Sequence, residues 1–582
     1  MKNISYKMFV IVAAGALALT SCSKEYMTAI NTDDTKTSTV DPNNLLTTSM
    51  LQTYGDFDMM DTYRCYITGF VQYYAGGWNV ATYAGQNMYK DDYSRKLWDK
   101  LYSVGIKNIV QAIEISKDQT NLNAALRVYR VYLLSQIVDC YGDAPCREAG
   151  KGATERILYP KYDTVQEAYE FFFEELTECV DLLGTGSDKI TGDVSSMGGN
   201  TDAWKKFANS LRMRFAMRLS SVVPDKARKE FEAAVLASGG YVSTASDNVL
   251  IKYLSKSFTF YQGAVDLDFR ANALSETLWG QDPTSPSFVC KTLYRYMQEN
   301  GDPRLYRICR NYLNAKRNAA AADGCYDLTD EVIAWGEAQR AISPDSKAGI
   351  QPNDVGEAWY NNWPVVPEDK DLPTLARLVK EDPNAGYDKN NYPARLTRPF
   401  INIALEQANC PGVVFTSAET EFLLAEAKLM GWAVDGSVES HYKDGIRSSL
   451  DFLNANYSIE TMSAGEIDDF VDAMSLGDNP KEAINLQAWI LHLTNPIEGW
   501  ANQRRSDYPA LKDRRSVPEE ANMQRGEDDL RIPVRLRYPA AEEENNNAEF
   551  KKATARQLDD KGVYSWHSLI WWDVAETHYY TD

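Results

Sequence analysis

The sequence predicts a mainly α-helical chain, with helical hairpins stacked as a degenerate tetratricopeptide-like solenoid and an irregular, loop-rich subdomain packed on it. Three observations predict this. Apolar residues recur at helical spacing in several stretches, each closed by capping or stop residues. Each such helix has a single apolar face that it cannot hide alone, so consecutive helices should pair and the pairs should stack. Between about Gly239 and Gly412 the periodicity fades into loops rich in Gly, Pro, Asn and Asp. No strict 34-residue repeat is visible, so the solenoid must be degenerate.

From the N-terminus, Lys2 and Lys7 precede an apolar run from Met8 to Leu19 and the small pair Thr20-Ser21 before Cys22. This is the layout of a secretory signal, and the run is too short for the roughly 20 residues that span a bilayer. Leu19-Thr20-Ser21-Cys22 resembles the bacterial lipobox, in which the cysteine thiol is acylated and becomes the new N-terminus. Residues 1–21 are therefore expected to be a lipoprotein signal peptide, with lipid attached at Cys22. Each buried methylene contributes about 0.8 kcal/mol, so two or three acyl chains hold a protein durably where one does not. The polar stretch 22–43 reads as a tether, because it has few groups able to build a core.

Residues 44–582 form the body: a helical scaffold over about 44–238 and 413–510, a loop-rich ligand-side subdomain over about 239–412, and a C-terminal segment 511–582. Within the scaffold, Leu122, Leu126, Tyr129, Leu133 and Ile137 make one stripe, which Gly142 stops. Val165, Ala168, Phe172, Leu176, Cys179 and Leu183 make the next; Thr164 can cap it and Gly184 ends it. Trp204, Phe207, Leu211, Phe215 and Leu219 follow, and later Ala418, Phe422, Ala425 and Leu429, with Gly431 after them.

Composition narrows the function. The formal charge of −21 disfavours nucleic acid and anionic lipid as partners, since both want a basic face, so any membrane link must run through the lipid. The four histidines, His441, His492, His567 and His578, have no metal-ligand spacing. No G-x-S-x-G elbow, P-loop or dinucleotide fingerprint is present, and neither cofactor nor catalytic residue is expected. Among 82 acidic residues no pair is marked for glycoside hydrolysis, and Asp323, Asp327 and Asp330 lack the spacing of a calcium loop. Eight cysteines besides Cys22 are scattered, and free buried thiols are expected for most.

The aromatic clusters are the better lead. Tyr73, Tyr74, Trp78, Asn79 and Tyr83 put flat rings beside glycines, and Trp359, Tyr360 and Trp363 do the same inside the irregular subdomain. Such rings either form a platform on which sugar faces stack or pack the loops down.

Several stretches remain: Val40-Asp41-Pro42-Asn43, Tyr141-Gly142-Asp143-Ala144-Pro145, the Trp204-Lys205-Lys206-Phe207 to Arg212 helix with Arg214 and Arg218, Asp302-Pro303-Arg304, Glu421 to Ala427, and Glu498-Gly499-Trp500 leading to Arg504-Arg505. In this order they resemble one family, the SusD/RagB outer-membrane nutrient-binding lipoproteins of Bacteroidetes. The close at Tyr538-Pro539 and Trp571-Trp572-Asp573 resembles a branch of that family. The resemblance implies a surface-exposed binding protein without enzymatic activity, sitting as a lid on a SusC-like TonB-dependent β-barrel transporter and capturing oligosaccharides or, in some members, peptides. A lipid-anchored glycosidase is the rival. The motifs themselves read as scaffold: Glu426 needs a buried cation, which Arg212, Arg214 or Arg218 could supply, and Glu498 is expected to lock a helix end with Arg504 and Arg505.

Overall fold

A computed structural model describes residues 40–76, 83–255, 269–277, 287–310, 400–516, 530–574 and 578–580. The expected signal peptide, Cys22 and most of the expected tether lie outside them. The helices of eleven residues or more, among the described residues, are α1 (Pro42–Gly55), α2 (Thr120–Tyr141), α3 (Val165–Leu182), α4 (Thr201–Arg218), α5 (Pro224–Leu236), α6 (Ser417–Leu429), α7 (Val438–Asn456), α8 (Pro480–Leu491) and α9 (Pro496–Ser506). None is long and apolar enough to cross a membrane.

The ends of these helices are set locally. Thr164 and Glu167 close a reciprocal capping box on α3, the Asn200 side chain accepts the amides of Asp202 and Ala203 on α4, and the Thr416 hydroxyl caps α6. Gly142 ends α2 at a φ of 86°, a conformation that favours glycine, and a Cβ there would run into Gln557 and Arg535. Consecutive helices pair as α2 with α3, α4 with α5, α6 with α7 and α8 with α9, and the pairs stack through α3 on α4, α4 on α6 and α6 on α8. This is the predicted stack of hairpins.

The family-like motifs close this stack. Asp143, in the Tyr-Gly-Asp turn, accepts the Val165 amide at 3.0 Å and so holds the start of α3, while its other oxygen takes Arg556 of the C-terminal segment at 2.6 and 2.9 Å. Arg304 pairs with Asp302 and reaches Ser449 on α7 and Gln487 on α8.

The buried ion pairs differ from the expected ones. Glu426 is held by Arg505, at 2.6 and 2.7 Å through both guanidinium nitrogens, and by none of the α4 arginines. Glu498 takes Arg218 at 2.7 and 2.8 Å, with Arg214 at 3.5 Å. Arg214 makes its own paired contacts, at 2.6 and 2.7 Å, to Glu419. Among the described residues, no carboxylate is in hydrogen-bond contact with Arg504. It lies 3.9 Å over the Trp500 ring and 5.0 Å over Trp572, and donates to the carbonyls of Trp500, Asp139 and Val534. The correction has a geometric cause: α4 packs on α6 and presents Arg214 to Glu419, while Glu426, two turns further along α6, faces Asn485 on α8 and Arg505 on α9.

The seven described cysteines are buried and free. Burial pushes the thiols of Cys65, Cys140, Cys146 and Cys309 well up, so they are inert packing groups.

Removing one side of a buried pair leaves the other charge unpaired, so Glu426→Ala should cost roughly 3–5 kcal/mol in urea unfolding. A double-mutant cycle should show coupling of Glu426 to Arg505 and none to Arg218, against what the sequence alone suggested.

Candidate functional site

Short antiparallel ladders determine where the candidate ligand segments are rooted. Strand β1 (Tyr74–Gly76) pairs with β3 (Ser287–Val289), Gly76 opposite Ser287, with β2 (Val249–Ile251) between them in the chain, and β4 (Cys309–Arg310) pairs with β5 (Phe400–Ile401), Arg310 opposite Phe400. Strands β3 and β5 are in contact. The chain that leads into 77–82 therefore leaves the scaffold beside the chain that emerges from 278–286, and the chain enters and leaves 311–399 at the neighbouring ladder. Trp78 and Asn79 belong to the first of these segments, and Trp359, Tyr360 and Trp363 to the last; all five lie outside the described residues. So do Asp323, Asp327 and Asp330.

Three of the rings expected to contact ligand are core residues. Tyr73 is fully buried, its ring 4.9 Å from that of Trp489, its hydroxyl donating to the Trp489 carbonyl at 2.6 Å. A Cβ on Gly499 would collide with that hydroxyl, which explains the glycine between Glu498 and Trp500. Tyr74 is buried in β1, and Tyr83 is buried edge-on against Tyr93 at 4.9 Å. These three buried rings pack the chain down on either side of 77–82.

The scaffold beneath the ladders carries a buried cluster that sequence spacing did not reveal. Glu419, His492 and Glu498 bring one potential ligand atom each to within 4.8 Å of one another, although they come from α6, the turn after α8, and α9. The donor types suit a metal ion. The carboxylates, however, are already engaged by Arg214 and Arg218, and two guanidiniums at this distance oppose a dication. Charge and geometry make the cluster an ion-pair hub. Burial would raise Glu498, but Arg218 and Arg214 hold it at about 2, whereas burial pushes Glu419 up. Burial lowers His492 to about 3, with the two arginines adding to the effect. Asp139 joins the hub, accepting Tyr169 Oη at 2.6 Å and Trp572 Nε1 at 3.1 Å, with Arg218 at 3.6 Å.

Stacked helical hairpins, with two adjoining strand ladders packed beside them, define a helical-repeat scaffold. A family model described as "Starch-binding associating with outer membrane", the SusD-like model, matches residues 34–353 and 380–539. The chain is similar to a solved SusD-like protein from Bacteroidetes AC2a, at 35% identity with a TM-score of 0.77, over 92% of this chain and 100% of that one. It is also similar to a solved chitin-binding protein, at 26% identity and a TM-score of 0.69 over 92% and 100%. A SusD homologue from Bacteroides uniformis shares the fold at 19% identity, with a TM-score of 0.64 over 92% and 100%. A search of curated proteins finds no match. The chain belongs to the SusD/RagB family, whose model is described as associating with the outer membrane.

His492 tests the hub. Unfolded, it takes a proton near 6.5; folded, only near 3, so its contribution is complete above pH 6.5 and is lost as the pH falls through that window. Chemical unfolding of His492→Gln between pH 7 and pH 3.5 should show a shallower acid loss of stability than the parent; parallel curves would mean that the folded ring is charged.

Proposed function

We propose that this protein is a cell-surface, lipid-anchored nutrient-binding component that captures oligosaccharides and delivers them, as a lid, to a SusC-like TonB-dependent barrel in the outer membrane. One observation carries the ligand half: the segments bearing Trp78 and Trp359 to Trp363 are rooted in adjoining ladders on a rigid scaffold. Aromatic rings such as Trp78 and Trp363 suit the flat C–H faces of sugars, while Asn79 can bond hydroxyls. Family membership and the starch and chitin named for the family and a relative support a glycan over a peptide. The lipobox-like Cys22 supports the anchor, and tethering near the transporter raises effective concentration without any new contact. The burial of Tyr73, Tyr74 and Tyr83 narrows the candidate residues to Trp78, Asn79, Trp359, Tyr360 and Trp363.

Calorimetry against maltooligosaccharides, chitooligosaccharides and a peptide mixture tests the ligand. Trp78→Ala and Trp363→Ala should each weaken glycan binding about tenfold, the roughly 1.4 kcal/mol expected of one stacked ring. Unchanged affinity in both variants would remove the platform, and heat from the peptides alone would make this a peptide-capturing member. Purification in mild detergent should bring down a large β-barrel with the parent protein, and Cys22→Ala should release the protein from the membrane fraction.

A further inference from the structure

His441 stands outside the hub and outside the loop roots, and its surroundings specify a protonation state. It lies in the first turns of α7, and both of its ring nitrogens face acceptors. Nδ1 is 2.6 Å from a carboxylate oxygen of Glu421 on α6, and Nε2 is 2.9 Å from the backbone carbonyl of Asp435 in the α6–α7 turn. A neutral imidazole carries one N–H, so neither tautomer satisfies both contacts; only the doubly protonated ring does. A flip of the ring cannot rescue the neutral form. The ring is also confined: Gly436 has a φ of 75°, and a Cβ there would lie 2.6 Å from Nε2.

The neighbouring charges agree with an imidazolium. On α7 itself, Asp444 faces His441 and Arg447, and Arg447 is paired with Asp468 of the Ala464–Ala473 helix at 2.6 Å. Glu439 and Lys443 pair with each other along α7. From α6 come Glu421 and Lys428, whose ammonium donates to the Val434 carbonyl at 2.8 Å. The segment after α5 supplies Tyr241, which feels both Glu421 and Asp435. Two carboxylates, on Glu421 and Asp444, thus face His441, and the Glu421 hydrogen bond raises the ring above its ordinary value.

The turn that His441 fastens is a joint between hairpins. Trp432 packs its ring 5.2 Å from Phe231 on α5, and the Ala433 amide donates to Glu232 of α5 at 2.7 Å, where Arg228 also binds. We propose that His441, held as an imidazolium between Glu421 and the Asp435 carbonyl, is a pH-released clasp on the joint between the α6–α7 hairpin and α5. Below the unfolded value near 6.5 the clasp is fully made; as the pH rises through the raised folded value, one hydrogen bond is lost and Glu421 loses its hydrogen-bonded cation. The turn then loosens from α5.

The chain has only four histidines, so selective histidine labelling of the full-length protein resolves the ring by NMR, with His441→Gln giving the assignment. His441 should titrate above 6.5, and a value at or below 6.5 would overturn the clasp. Hydrogen exchange over residues 430–442, corrected for the intrinsic pH dependence of the chemistry, should rise several-fold between pH 6 and pH 9 in the parent and show no step in His441→Gln. Equal profiles in the two proteins would sink the proposal. Should His441→Gln fold poorly, Gly436→Ala, which presses on the ring from the turn, should lower the titration point of His441 by weakening its contact to Asp435; an unmoved titration would count against the clasp.

Discussion

Two guanidiniums and three carboxylates, buried where helices α2, α4, α6 and α9 meet, are the constraint on which the scaffold turns. Arg214 binds Glu419, Arg218 binds Glu498, and Asp139 on α2 completes the set through Tyr169 and Trp572. None of these charges could be buried alone, because desolvation would cost several kcal/mol per ion. Each helix therefore has one docking geometry in which its charge is met. Greasy helix faces slide over one another at small cost; a paired guanidinium and carboxylate do not. The hub converts a stack of amphipathic hairpins into a single arrangement.

The C-terminal segment is locked by the same hub. Trp572 enters between Arg218, 5.4 Å from its ring, and Arg504 at 5.0 Å, and spends its indole N–H on Asp139. Arg504 is satisfied by three carbonyls and two indole faces, and burial lowers it to about 10. Tyr538 adds a second fastening, stacked 5.5 Å from Tyr564 with its hydroxyl on the Asp143 carbonyl. The end of the chain thereby reaches back to the turn after α2. A scaffold so closed holds the strand ladders in place against the helices.

The sequence by itself determined the helices and their ends. Apolar spacing and the caps at Thr164, Asn200, Thr416 and Gly142 act over a few residues, so they could be read along the chain. It also determined that Glu426 and Glu498 had to be paired with cations, because burial without a partner is too costly. Which partner each took was decided by the tertiary structure. The α4 arginines bind Glu419 and Glu498, and Arg505 binds Glu426, because partners are chosen by how helices cross, and crossing leaves no mark in local spacing. The same holds for the rings: Tyr73, Tyr74 and Tyr83 look like the neighbouring Trp78 in composition, yet Trp489, the β1–β3 ladder and Tyr93 enclose them. Burial depends on what the rest of the chain brings alongside, so a ring's type was legible in the sequence and its exposure was fixed only by the fold.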